Sequence, residues 1–187
     1  MLRILGGLKR GKRLRGPTGL EFRPATGRVK SFIFSYFYHD IQGSSVLDLF
    51  SGTGSLGIEA LSRGASTCVF IEHNLNVLKL LKENISSCRF HDQANIIQGD
   101  VFQVLKRHHF FNKKPFDFIV ADPPFKDSLR ESIVTAVEEN HILKQNGVLI
   151  LEHEIHDEDK SKNGLILLKQ KRFGHCVLSI YGYQLFT

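Results

Sequence analysis

Two apolar periods alternate along most of the chain. Ser45–Phe50 (SVLDLF), Thr67–Glu72 (TCVFIE), Ala94–Gln98, Phe116–Ala121 and Gly147–His153 are short, nearly continuous apolar runs that predict buried strands. Between them the spacing turns helical. One helix starts near residue 28, with Val29, Phe32, Ile33, Tyr36 and Phe37 on a broad apolar face. Others follow over Ser55–Ser62, Leu75–Ser86, about Val101–Arg107 and around Leu129–Glu139. Strands that alternate with helices predict an α/β fold, a mostly parallel, doubly wound sheet covered on both faces. After residue 157 the alternation stops. Leu165–Lys169 and Cys176–Leu185 predict two strands with no helix between them, so the sheet is expected to end in an antiparallel hairpin.

Composition adds limits. At 187 residues the chain holds one domain plus at most a short appendage, and 42% apolar with 24% charged residues is the balance of a soluble protein. No apolar run reaches the roughly 18 residues of a membrane span. The basic start lacks the apolar stretch of a secretory leader. Cys68, Cys88 and Cys176 are odd in number and far apart, which suits a reducing cytoplasm better than a disulfide framework.

Charge changes the picture more. Residues 1–30 hold nine basic groups against Glu21 alone, whereas the remainder is slightly acidic. A basic arm over 1–27, ahead of a domain over 28–187, is the expected organisation. Ile4, Leu5 and Leu14 punctuate its charges and Gly6-Gly7 and Gly11 supply turns, which predicts a short hairpin. Arg3, Lys9, Arg10, Lys12, Arg13 and Arg15 are its candidate nucleic-acid contacts, since each neutralised phosphate releases counterions.

The chemistry concentrates after two strands. Gly52-Thr53-Gly54-Ser55-Leu56-Gly57 is a G-x-G-x-x-G turn between a strand and a helix, and Glu72 ends the next strand twenty residues after Gly52. Such a turn lets a ligand approach the backbone while the acid takes ribose hydroxyls, which leaves NAD, FAD and S-adenosylmethionine all open. Asp48, inside the first strand, needs a partner if buried, and a cationic amino-acid moiety suits it better than a pyrophosphate. Asp100 is placed to accept from an adenine amino group or to cap the following helix. Phe50 and Val101 flank these positions and are assigned to the same cofactor site.

Asp122-Pro123-Pro124-Phe125 decides between the ligands. It follows the fourth strand, beside the first, where open α/β sheets bind ligands. Asp122 and the Pro123 carbonyl are set to accept both N–H bonds of an exocyclic amine, and Phe125 offers a ring on which a base stacks. Glu152, His153, Glu154 and His156 resemble a metal cluster, but strand alternation sends His153 and Glu154 to opposite faces, so no metal is expected.

Arg3–Arg13 (RILGGLKRGKR), Arg23–Phe34 (RPATGRVKSFIF), Leu47–Ala65 (LDLFSGTGSLGIEALSRGA) and Asp122–Phe125 together resemble the RsmD-type methyltransferases, which methylate guanine N2 in small-subunit rRNA. The resemblance implies a Rossmann-like class I methyltransferase with seven strands, the last antiparallel, acting as a cytoplasmic monomer on rRNA with assembly proteins bound. It implies S-adenosylmethionine as cofactor, lined by Gly52 and Gly54, with Glu72 on its ribose and Asp100 on its adenine. It also implies Thr26 and Arg28 near the methionine carboxylate, and Asp122 on the target amine. The alternatives are a DNA adenine-N6 methyltransferase, an NAD-dependent oxidoreductase, and a non-catalytic rRNA-binding assembly factor.

Overall fold

The protein was analysed as a computed structural model, which describes residues 2–17, 27–107, 114–124, 129–155 and 164–184. Seven strands form one sheet: β1 (Ser45–Leu49), β2 (Thr67–Glu72), β3 (Ala94–Gln98), β4 (Phe116–Ala121), β5 (Leu143–Glu154), β6 (Leu165–Phe173) and β7 (Cys176–Tyr183). Their order is β3-β2-β1-β4-β5-β7-β6, parallel from β3 through β5, with β7 antiparallel to both its neighbours. The five helices among the described residues are α1 (Gly27–Tyr36), α2 (Ser55–Ser62), α3 (Leu75–Cys88), α4 (Val101–Arg107) and α5 (Arg130–Glu139). None is long and apolar enough to cross a membrane.

The sheet separates two cores. One joins α1, α2 and α3 through Ile33, Phe34, Ile58, Leu61, Leu81 and Phe70. The other joins α4 and α5 through Val104, Leu105, Ile133, Val137, Leu47 and Ile119. Burial on both faces is why β1 and β4 read as unbroken apolar runs.

Three details differ from the sequence expectation. Tyr36 is half exposed, and Phe34 takes the buried place on α1 beneath the Arg63 guanidinium. Strand β5 begins four residues early, because Leu143 pairs with Phe116 ahead of the exposed Lys144-Gln145-Asn146. Strand β6 extends to Phe173, through a run of charged residues that suits an edge strand.

Residues 2–14 of the basic arm fold as a hairpin. Ile4 and Lys12 share a backbone hydrogen bond, as do Gly11 and Ile4, and the 3₁₀ turn Gly7–Lys9 closes the loop. Ile4 is fully buried in the α1–α3 core and Leu14 nearly so. Glu59, fully buried in α2, clamps the hairpin: its two oxygens accept the Leu5 and Gly6 N–H groups, each at 2.8 Å. The same carboxylate pairs with Lys30 at 3.3 Å and Arg63 at 2.8 Å. Lys30 also donates to the Arg3 carbonyl, and burial lowers its pKa against the pull of Glu59.

Candidate active site

The site starts from a tight turn at the end of β1. Phe50 has φ of 57°, a left-handed conformation that a bulky residue adopts only under constraint. The constraint is visible: the Ser51 N–H donates to the Ile71 carbonyl, and the Ser51 hydroxyl donates to the Asp48 carbonyl. Gly54, at φ 83°, caps α2, and a β-carbon there would fall 2.5 Å from Leu81 Cδ1. A β-carbon on Gly57 would overlap the Phe70 ring. The last two glycines of the motif therefore seat α2 against α3 and β2 as well as opening the turn.

Two acids hold this turn. Asp48 is buried and its Oδ2 accepts the Gly57 N–H at 2.9 Å, so α2 supplies the partner that its burial demands. Burial still pushes its pKa up to about 7, against the Gly57 hydrogen bond, with Glu72 adding to the rise. Glu72 ends β2 with one oxygen on the Gly52 N–H, at 2.9 Å, and the other on the Asn74 N–H, at 2.7 Å. The oxygen on Asn74 also faces His73 Nδ1 at 3.4 Å, and the oxygen on Gly52 keeps a second lone pair for an incoming hydroxyl. Asp100 is exposed and accepts the Gln103 N–H at 3.0 Å, which makes it the cap of α4; Val101 behind it is buried. Phe50 packs edge-on to Phe102.

Strand register brings the second motif alongside. Leu49 pairs with Ala121, so Phe50 and Asp122 leave adjacent strands at the same level, at the point where strand order reverses. Asp122 is half-buried and Pro123 buried. Phe125 and Thr26 lie outside the described residues, as does His156. Arg28 is exposed at the start of α1. His153 is engaged structurally, with Nδ1 at the Glu154 carbonyl and Nε2 at the Ser179 hydroxyl.

Of the arm's basic residues, Arg3, Arg10, Lys12, Arg13 and Arg15 are exposed and Lys9 is half-buried. Arg15 pairs with Glu83, while Lys9 sits over the Phe90 ring. Lys30 is withdrawn from any polyanion by its burial. Two residues that the sequence reading passed over matter here. The hydroxyls of Thr53 and Ser55, inside the glycine turn, are buried and meet no protein partner. Their signal was only the polar filling of a turn set between apolar elements.

Comparisons with known proteins place this arrangement among relatives. A family model described as "Conserved hypothetical protein 95" matches residues 2–182. Ribosomal RNA small subunit methyltransferase D of Haemophilus influenzae is 34% identical over 181 residues, covering 96% of this chain and 93% of its own. The YlbH protein of Bacillus subtilis is 30% identical over 183 residues, covering 96% and 98%. The solved structure of the Escherichia coli protein yhhF superposes with a TM-score of 0.85 at 29% identity, covering 97% of each chain.

Proposed function

Because the chain belongs to the "Conserved hypothetical protein 95" family, that of ribosomal RNA small subunit methyltransferase D, we propose that it transfers a methyl group from S-adenosylmethionine to the N2 amino group of a guanine in small-subunit rRNA. The observation that supports this most is the register of β1 and β4. It sets the glycine turn and Asp122-Pro123 side by side at the switch point.

The residues present suit the cofactor. The buried, unsatisfied hydroxyls of Thr53 and Ser55 lie where polar groups of a ligand would complete them. Glu72 offers the remaining lone pair of its Gly52-bound oxygen to a ribose hydroxyl, and Asp100 its exposed carboxylate to an adenine amino group. Asp48, beneath the turn with its pKa raised to about 7 by burial, is drawn toward its ionised form by a cationic amino-acid end and away from it by a pyrophosphate, which favours the former. Thr26 and Arg28 are assigned to the carboxylate of that end. When bound, the cofactor supplies an electrophilic methyl on a sulfonium.

The protein's task is then positioning and electrostatics. An exocyclic amine is a poor nucleophile because its lone pair is delocalised into the ring. Asp122 and the Pro123 carbonyl accept its two N–H bonds and draw the nitrogen toward a pyramidal shape. The lone pair is thereby freed along the line of attack. Phe125 holds the base by stacking, and the prolines fix the acceptors before the substrate arrives. No nucleophilic side chain is required.

The test supplies purified protein with labelled S-adenosylmethionine and three acceptors: small-subunit particles from cells lacking the protein, naked small-subunit rRNA, and DNA. Label in rRNA supports the proposal. Label in DNA replaces it with the adenine-N6 reading, and cofactor binding without transfer to any acceptor replaces it with the assembly-factor reading.

A further inference from the structure

A trough of about 640 Å³ runs over the outer face of α1. Its floor is Arg28, Ser31 and Phe32; Arg3 of the hairpin forms one wall, and Lys171 and Phe173 of β6 form the other. Among the described residues, no acidic side chain lines it. Lys171 in that wall and Lys169, two residues along β6, are held in place by aromatic rings. Lys171 Nζ sits 4.3 Å from the centre of the Phe32 ring, and Lys169 Nζ sits 4.8 Å from that of Tyr36. Phe32 stacks on Tyr36 and packs against Phe173, so rings and cations form one connected row along α1.

The trough opens toward the chemistry. Strand pairing carries Phe173 through Cys176 to Glu154, the end of β5, so the β6 wall finishes at the same end of the strands as Asp122. The tip of the hairpin is at the other end. Gly6 and Lys9 are bound to Ser62, the last residue of α2, whereas α2 begins at the glycine turn. The arm's loop therefore lies far from the reacting atoms, and the trough lies between.

Building on the rRNA reading above, we propose that this trough holds the single-stranded RNA adjoining the target base. Arg3 and Lys171 meet its phosphates from the two walls, and Lys169, two residues along β6, extends the row. Charge complementarity selects the occupant: the described lining brings cations and no acid, which suits a polyanion, and cations already fixed over rings lose little side-chain freedom when a phosphate arrives. The exposed edges of Phe32 and Phe173 add sequence-tolerant contact with bases or riboses.

The test uses the full chain without cofactor and a fluorescein-labelled single-stranded RNA about twelve nucleotides long, a length within the usual range for such sites. Fluorescence anisotropy is read across a salt series for wild type, K169E/K171E, the milder K169Q/K171Q, and K106E/R107E, a charge-matched control on α4 across the sheet. Both β6 variants should bind about tenfold or more weakly at low salt. For K169Q/K171Q the slope of log affinity against log salt should fall by about 1.4, near 0.7 per phosphate contact. The control should match wild type. Calorimetry with S-adenosylmethionine should give the same affinity for all four proteins.

Equal RNA affinity in wild type and K169Q/K171Q would overturn the proposal, as would equal losses in the β6 variants and the α4 control. So would a β6 variant that loses binding to phosphatidylserine vesicles while keeping its RNA affinity. These readouts need no turnover, so a wild-type protein that binds RNA through the trough but transfers no methyl would count against the proposed reaction alone.

Discussion

Glu72 is buried at the end of β2 with each carboxylate oxygen on a backbone N–H, which fixes its orientation before any ligand binds. On the proposed reading, removing it deprives the ribose hydroxyls of a charged acceptor worth about 1.5–3 kcal/mol. Glu72→Ala should therefore weaken S-adenosylmethionine binding roughly ten- to hundredfold by titration calorimetry, and unchanged affinity would remove Glu72 from the site. Asp48 poses a different question. Its folded pKa, raised to about 7, lies above the unfolded value, so the native state binds the extra proton between about pH 4 and 7. Stability contributed by that proton is present at low pH and lost as pH rises through 7. Asp48→Asn keeps an acceptor for Gly57 and cannot ionise. Wild type should lose up to about 4 kcal/mol relative to it between pH 4 and 8 in urea melts. A constant difference across that range would show that Asp48 does not titrate there. At this scale the sequence disclosed the chemistry-bearing acids but not their neighbours. Asp48 and Glu72 stand out by spacing from the glycine turn, and Asp122 by the prolines and aromatic that follow it at the end of the fourth strand. That Lys30 is buried was hidden, because its partner Glu59 is twenty-nine residues away.

The hairpin and α2 form one unit through Glu59, whose carboxylate meets two backbone N–H groups and two cations. Glu59→Ala leaves Lys30 buried without its countercharge, a change that costs about 3–5 kcal/mol. Chemical denaturation should show that loss, and Glu59→Ala/Lys30→Met should recover part of it. If the double variant is no more stable than the single one, the unpaired lysine is not the source of the loss. A warning of this cluster was present in the chain: Glu59 is the one charge in a helix otherwise apolar or small (SLGIEALS). Most element bounds were legible because apolar runs end at glycine or at polar caps such as Asn74. The ends of β5 and β6 were not. Strand β5 bulges at Lys144–Asn146, between its Leu143 and Val148 pairs with β4, and pairing with β7 carries β6 through Lys169–Arg172; these side chains face solvent and leave no apolar signal.

For the whole molecule, the chain's basic excess and its cofactor turn are separable. Neutralising Lys9, Arg10, Lys12 and Arg13 together should weaken rRNA binding and, if all four touch phosphate, lower the salt slope by about 3, without altering cofactor affinity. An unchanged slope would show that the hairpin's charges only solvate it. The doubly wound architecture followed from alternation alone, and the order of β7 and β6 completed what the missing last helix suggested. What alternation could not show is the meeting of elements distant in sequence: Arg3, Phe32 and Lys171 share one trough only because β6 folds back beside α1. The central claim is that Asp122 presents a guanine amine to the methyl group. It is tested most directly by nucleoside mass spectrometry of small-subunit rRNA after reaction with wild type and with Asp122→Ala. The account predicts N2-methylguanosine at a single site with wild type, and its rate cut by about 10²–10³ in the variant with cofactor affinity nearly intact. Methylation of a different base or atom by the wild-type protein, or a variant that forms N2-methylguanosine at the wild-type rate, would contradict it.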